Sequence, residues 1–216
     1  MSSHNLPRGR TDQGLSYHVL SAVNRFAFEL QPDEMKKLFL SIIEEAKTKK
    51  GFKFKLWNFC IMDNHFHFLI TPEKGQSLSE ILKWIKMVFA IRWNKQHDKT
   101  GHFWGERFYS WEIKDEKDFW NVYNYIDQNP VAAGLVQKPE QWQYSGAYHR
   151  EQGITKIVSL VTDTAWRTDL KTSSEPTHVF FFLQDIPAAF AECLTIVQKS
   201  CRGLSRIRLR YVGATL

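Results

Sequence analysis

The stretch "FKFKLWNFCIMDNHFHFLITP", residues 52–72, decides the reading of this chain. Two apolar runs of strand length are separated by Asp63-Asn64, residue types that tolerate the backbone angles of a tight turn. The pattern predicts a β-hairpin. Its second arm carries His65 and His67, one residue apart. On a strand, residues i and i+2 point to the same side, so both imidazoles project together while Phe66 and Phe68 face the other way. Each ring has polar nitrogens that a core leaves unsatisfied. Two imidazoles on one face suit cis ligation of a metal ion instead. A bare His-X-His pattern is also compatible with two satisfied histidines, and ligation needs a third group from another segment.

Upstream of the hairpin, "SYHVLSAVN" (16–24) alternates with β-branched and aromatic residues and reads as a first strand. "QPDEMKKLFLSIIEEAKTKKG" (31–51) has Pro32 early, acids in the first turn, Leu38, Phe39, Ile42, Ile43 and Ala46 at helical spacing, and Gly51 as a stop. Downstream, Ser77 and Glu80 form a capping box for a helix over 77–98 with one apolar stripe from Leu78 to Phe89. "GHFWGERFYSWEI" (101–113) reads as a glycine-broken aromatic strand. "DEKDFWNVYNYIDQ" (115–128) reads as a helix capped by Asp115 that ends before Pro130. The order strand, helix, strand, strand, helix, strand, helix fits an α+β ferredoxin-like sandwich. In it a mainly antiparallel sheet has its helices on one face.

With 216 residues, the chain is long enough for one domain, expected over 1–150, and an extension, 151–216, of unassigned role. That extension has a polar stretch at 171–178 and the makings of a helix near 187–200. No apolar run approaches the length of a membrane helix, and the polar N-terminus lacks the apolar core of a signal peptide. Cys60, Cys193 and Cys201 lack paired spacing, so no disulfide framework is expected and a reducing cytoplasm is the simplest home. The net charge of +6 and pI of about 9.2 favour a polyanionic partner. Basic residues cluster at Lys47, Lys49, Lys50, Lys53 and Lys55 and again at Arg202, Arg206, Arg208 and Arg210. A solvated face is the plain alternative for each cluster.

The helix at 115–128 supplies the candidate third group. Phe119, Val122, Tyr123 and Ile126 share one stripe, fit to pack on the sheet, so Tyr123 reads as a core aromatic. Asp118, Asn121, Tyr125 and Asn129 share another. Tyr125 is thus either an ordinary amphipathic surface residue or, beside a histidine site, a nucleophile with an amide ligand one turn away.

Three segments, "CIMDNHFHFLITP", "GHFWGERF" and "YIDQNPVAAGLV", resemble signature segments of the single-tyrosine HUH transposases, small bacterial enzymes that act on single-stranded DNA. The last two in combination are most similar to the REP-associated tyrosine transposase branch. The resemblance spans roughly residues 15–150 and is specific in order and spacing. It implies that His65 and His67 hold a divalent ion, Mg2+ or Mn2+, that Tyr125 rather than Tyr123 is the nucleophile, and that Asn129 completes the metal site. Insertion-sequence relatives commonly carry glutamine at that last place; asparagine is one methylene shorter, so the helix must approach the sheet more closely or hold the ion more loosely. Two imidazoles and an amide are softer than the oxygen ligands magnesium prefers, so manganese is expected to serve at least as well.

The implied reaction is cleavage and rejoining of single-stranded or hairpin DNA through a 5′-phosphotyrosine bond, with no membrane partner, by a monomer or homodimer. Candidate DNA contacts are Lys53, Lys55, Lys83, Lys86, Arg92, Lys95 and Arg107. Trp104, Phe108, Tyr109 and Trp111 either stack exposed bases or, for at least half of them, pack the core. One alternative is a non-catalytic hairpin-DNA-binding protein domesticated from a transposase, against which the intact His65, His67 and Tyr125 argue. A zinc hydrolase ranks last, since His97 and His102 are the only nearby further histidines.

Overall fold

The computed structural model of the protein describes residues 14–105 and 107–161. The first strand, β1 (Tyr17–Ala22), is followed by a 3-10 turn (Asn24–Phe26) and helix α1 (Asp33–Thr48). The hairpin is β2 (Phe54–Ile61) and β3 (His65–Pro72); then come α2 (Leu78–Gln96), β4 (Tyr109–Glu112), α3 (Glu116–Ala132), a 3-10 turn (Pro139–Gln141) and α4 (Gly146–Glu151). The sheet order is β2-β3-β1-β4 with every pairing antiparallel. This is the expected ferredoxin-like α+β sandwich. Of the aromatic segment 101–113 only its last part forms a strand, and that strand is an edge.

One sheet face carries Val19, Phe59, Ile61, Phe66, Phe68 and Ile70, which pack on Phe39, Ile42 and Ile43 of α1 and Ile81, Ile85 and Phe89 of α2. The Phe39 ring lies 4.9 Å from Phe66 and 5.3 Å from Phe89, so this layer is an aromatic core. The expectation of helices on one face holds for α1 and α2 but not for α3, which covers the opposite face. The register of β2 slips between Leu56 and Asn58, so Trp57 is an extra, bulged residue. Trp57 then meets Phe119 of α3 at 6.0 Å, and the Asn58 amide donates to the Tyr123 carbonyl at 2.9 Å.

The turn that delivers His65 is pinned from outside. Leu30 N–H donates to the Asp63 carbonyl and Val23 N–H to the Asn64 carbonyl. Lys36, 1% exposed, reaches up from α1 to the Asp63 carboxylate at 2.7 Å and donates to the Gln31 carbonyl at 2.6 Å.

A second correction concerns the end of α3. The helix runs through Pro130 to Ala132 rather than stopping before the proline. Pro130 forgoes the bond that an N–H there would give the Ile126 carbonyl, and the turn closes through Ala133 N–H to the Asn129 carbonyl and Leu135 N–H to the Pro130 carbonyl. Gly134, with φ of 71°, then adopts the left-handed conformation that ends helices.

The body continues past the boundary expected at residue 150. Ile157 and Val158 are buried in the core, and Ser159 N–H donates to the Leu56 carbonyl at 2.8 Å. The segments at 171–178 and 187–200, with Cys193, Cys201 and the arginines from Arg202 to Arg210, lie outside the described residues. Among the described residues no helix is long and apolar enough to cross a membrane.

Candidate active site

His65 and His67 share the β3 face that points at α3, as their spacing requires, and both are buried. Their rings stand 5.0 Å apart and nearly perpendicular. His65 Nδ1 lies 2.7 Å from Asn64 Oδ1, an oxygen that can only accept, so the proton sits on Nδ1 and Nε2 keeps its lone pair. The Asn64 amide is itself oriented by donating to the Phe26 carbonyl at 3.3 Å. His67 Nε2 is buried with no hydrogen-bond partner among the described residues. Both rings are held neutral by burial, which lowers the pKa of His65 to about 4 and that of His67 well below the ordinary range.

Tyr125 comes to this pair from α3. Its ring presents an edge-on contact to His67 at 5.5 Å and to His18 at 5.8 Å. Tyr123, two residues earlier, points elsewhere: it is buried, its ring stacks on Phe119 and lies 4.6 Å below the Arg150 guanidinium. Burial pushes the Tyr123 phenol up to about 12. Helical spacing explains the split, since residues two apart on a helix project about 200° from each other.

Asn129 follows Tyr125 by one turn, half-buried, and its Nδ2 donates to the Tyr125 carbonyl at 2.7 Å. No group of three or more His, Cys, Asp or Glu side chains among the described residues could hold a metal ion. A third ligand for an ion at the two histidines therefore has to be of another kind, and the Asn129 amide is the candidate that the sequence already names. The donor set fits a divalent cation to this extent: one orphaned, buried imidazole nitrogen beside a second whose tautomer leaves Nε2 as an acceptor. Of the further histidines named for a zinc hydrolase, His97 stacks on Trp93 at 4.5 Å and lies 2.9 Å from the Trp93 carbonyl.

His18 is the residue that sequence reasoning missed. It lies on β1, 1% exposed, with Nε2 3.1 Å from His67 Nδ1 and its ring stacked between His67 (5.2 Å) and Trp111 of β4 (5.4 Å). Burial lowers its pKa to about 3. The alternation of "SYHVL" already put His18 and Leu20 on one face opposite Val19; what it lacked was the β1–β3 register, Leu20 against His67, that places His18 diagonally beside His67.

The candidate DNA contacts divide. Lys83, Lys86 and Arg107 line a surface pocket of about 670 Å³ with Trp104 and Phe108, on the α2 side of the sheet. Burial, then the Arg107 charge, lowers the Lys86 pKa to about 8. Lys53 and Lys95 are exposed, and Lys55 lies 5.2 Å from the Trp57 ring centre. Arg92 has a partner within the protein: both its guanidinium nitrogens bond Glu45 of α1 at 2.8 Å, which fastens α2 to α1. Trp104 and Phe108 are core residues, whereas Tyr109 and Trp111 stay half-buried on the α3 face of the edge strand.

The family model described as "Transposase IS200 like" matches residues 11–129, more than half of the chain. A Haemophilus influenzae protein provisionally named a REP-associated tyrosine transposase is 28% identical over 165 residues, covering 69% of this chain and 91% of its own. The REP-associated tyrosine transposase of Escherichia coli K12 is 27% identical over 115 residues, 50% of this chain and 62% of its own. Among solved structures, a REP-associated tyrosine transposase bound to a REP hairpin superposes with a TM-score of 0.55 at 20% identity. That match covers 82% of this chain and all of the other, and shows a common fold.

Proposed function

The chain belongs to the IS200-like transposase family, and from that premise we propose that it cuts and rejoins single-stranded, hairpin-bearing DNA through a covalent bond to Tyr125. DNA transposition or the processing of REP elements is the setting, and a DNA partner fits a cytoplasmic home. The single observation that carries the assignment is the placement of Tyr125, and not Tyr123, against the buried imidazoles of His67 and His18.

The chemistry follows from the residues. The Tyr125 oxygen attacks phosphorus in line; the new Oη–P bond forms as the bond to the 3′ oxygen breaks. The phenol proton is lost, and the departing oxygen takes one up to become a free 3′-hydroxyl. Attack by a second 3′-hydroxyl on the phosphotyrosine reverses these changes and rejoins DNA without ATP. His65, His67 and Asn129 would hold a divalent cation, Mg2+ or Mn2+, which when bound polarises a non-bridging phosphate oxygen. Burial keeps both imidazoles neutral and therefore able to ligate. Tyr109 and Trp111, half-buried on the edge strand beside His18, offer ring faces to bases entering from that side. Lys83, Lys86 and Arg107 form a separate basic patch for phosphates.

The test is a denaturing gel of the protein with labelled hairpin-bearing single-stranded DNA and Mn2+. Wild type and Tyr123→Phe are expected to give a covalent adduct, and Tyr125→Phe none, while Tyr125→Phe still shifts the DNA on a native gel. An adduct with Tyr125→Phe and none with Tyr123→Phe would reverse the assignment. DNA binding with no adduct from wild type under any metal would favour the non-catalytic binder.

A further inference from the structure

Apolar contact is non-directional: the buried stripe of Phe119, Val122 and Ile126 presses α3 onto the sheet without fixing how far the helix is rolled about its own axis. Roll matters here. Asp127 and Tyr125, two residues apart, project about 200° from each other, so they flank the stripe on opposite sides. A roll of about 10° moves a phenol oxygen roughly 9 Å from the axis by about 1.5 Å. Directional bonds on one flank are therefore needed if the other is to hold Tyr125 edge-on to His67 at 5.5 Å.

We propose that Asp127 is a positioning residue which, through Arg150 and Asn58, sets the roll of α3 and with it the place of the Tyr125 oxygen. Its purpose rests on the reading of Tyr125 as the nucleophile; the placement itself does not. The Asp127 carboxylate accepts from Arg150 Nη2 at 2.9 and 2.6 Å and from Asn58 Nδ2 at 2.9 Å. Asn58 Oδ1 accepts from Arg150 Nη1 at 3.1 Å, so the three side chains close a ring. Asn58 belongs to β2, is fully buried, and is held by Phe59 N–H and the Tyr123 carbonyl as well. Arg150 comes from α4, whose capping Ser145 bridges to Cys60 of β2. The ring thus refers α3 to the sheet that carries His67, not merely to another helix. Side-chain exposures of 16% for Asp127 and 21% for Arg150 leave water little room to compete. A buried ion pair adds little stability that two apolar side chains of similar volume could not supply. What it adds here is direction, which apolar side chains do not have.

The experiment separates position from stability. Full-length Asp127→Leu and the double variant Asp127→Leu/Arg150→Met are compared with wild type in urea unfolding and in single-turnover adduct formation at saturating labelled hairpin DNA with Mn2+. The single variant strands the Arg150 charge and should lose stability. The double variant removes both charges, leaves Asn58 its bonds to Tyr123 and Phe59, and should regain most of the loss. The adduct rate should stay down about 10-fold or more in both, with DNA affinity unchanged. A double variant that regains its rate along with its stability would overturn the proposal. A second readout needs no activity. In metal-free protein with Tyr and His protonated on a deuterated background, wild type should show a nuclear Overhauser effect between the Tyr125 and His67 rings, assigned by its loss in Tyr125→Phe. The double variant should weaken it; an undiminished effect in the folded double variant would equally overturn the proposal. A wild type that forms no adduct, while the ring contact still depends on Asp127, would instead sink the reading of Tyr125 as nucleophile and leave its positioning standing.

Discussion

Gly146→Ala is a change that would ordinarily stabilise a protein. Gly146 opens α4, and alanine in place of a helical glycine is worth about 1 kcal/mol of propensity. Here a Cβ would stand 2.1 Å from Asn58 Oδ1 and 2.7 Å from Arg150 Nη1. Restoring ordinary contact needs a shift of roughly 1 Å or more. Arg150 has a flexible chain, but Asn58 is fully buried and held on all sides. Its Nδ2 donates to the Tyr123 carbonyl and to Asp127 Oδ1, each at 2.9 Å, while its Oδ1 accepts from Arg150 at 3.1 Å and from Phe59 N–H at 2.8 Å. Arg150 in turn pairs with Asp127 at 2.6 Å. Displacing Asn58 breaks two or three of these bonds, each costing about 1–3 kcal/mol when a buried partner is left unmade. Less the propensity gain, the net destabilisation is about 1–8 kcal/mol. At about 2–4 °C per kcal/mol for a chain of this size, differential scanning fluorimetry should show a melting midpoint roughly 2–30 °C below wild type. Because this network docks α3 beside Tyr125, adduct yield at a temperature where the variant remains folded should fall as well. A midpoint equal to or above that of wild type would refute the reasoning, since the propensity gain would then have met no resistance.

Lys36→Met should destabilise by about 3–5 kcal/mol in urea unfolding, because it strands the Asp63 carboxylate at the turn before His65; adding Asp63→Asn should recover part of the loss, and no recovery would mean that the ion pair is not the cause. Metal-free protein should lose stability as pH falls from 7 to 5. Burial depresses His18 to about 3 and His65 to about 4, with His67 also low, so the unfolded chain takes up protons below about 6.5 that the folded one does not. The loss is roughly 2 kcal/mol for each of His18 and His65 over that interval; a urea midpoint independent of pH between 7 and 5 would contradict it.

Periodicity alone determined much of this protein. Strand alternation put His65 and His67 on one face and Phe66 and Phe68 on the other, and helical spacing separated Tyr125 from Tyr123, because both periods are properties of the backbone itself. Asp115, which accepts from Asp118 N–H at 2.8 Å, and Ser77, which accepts from Glu80 N–H at 3.4 Å, cap their helices as local pattern demands. Contacts between segments were a different matter. The bulge at Trp57, whose ring lies 6.0 Å from Phe119 of α3, is announced by no period. Arg92 reads as a free cation until Glu45, forty-seven positions earlier, takes both its nitrogens. Pro130 reads as a stop, yet the helix runs on to Ala132 and closes through the N–H groups of Ala133 and Leu135. His18 becomes part of the site only when the strand register sets it beside His67, forty-nine positions away. What the chain encodes locally, by spacing and capping, was legible residue by residue; what depends on which distant segment arrives alongside was decided by packing, because burial and hydrogen bonding between distant residues act only once the core has closed.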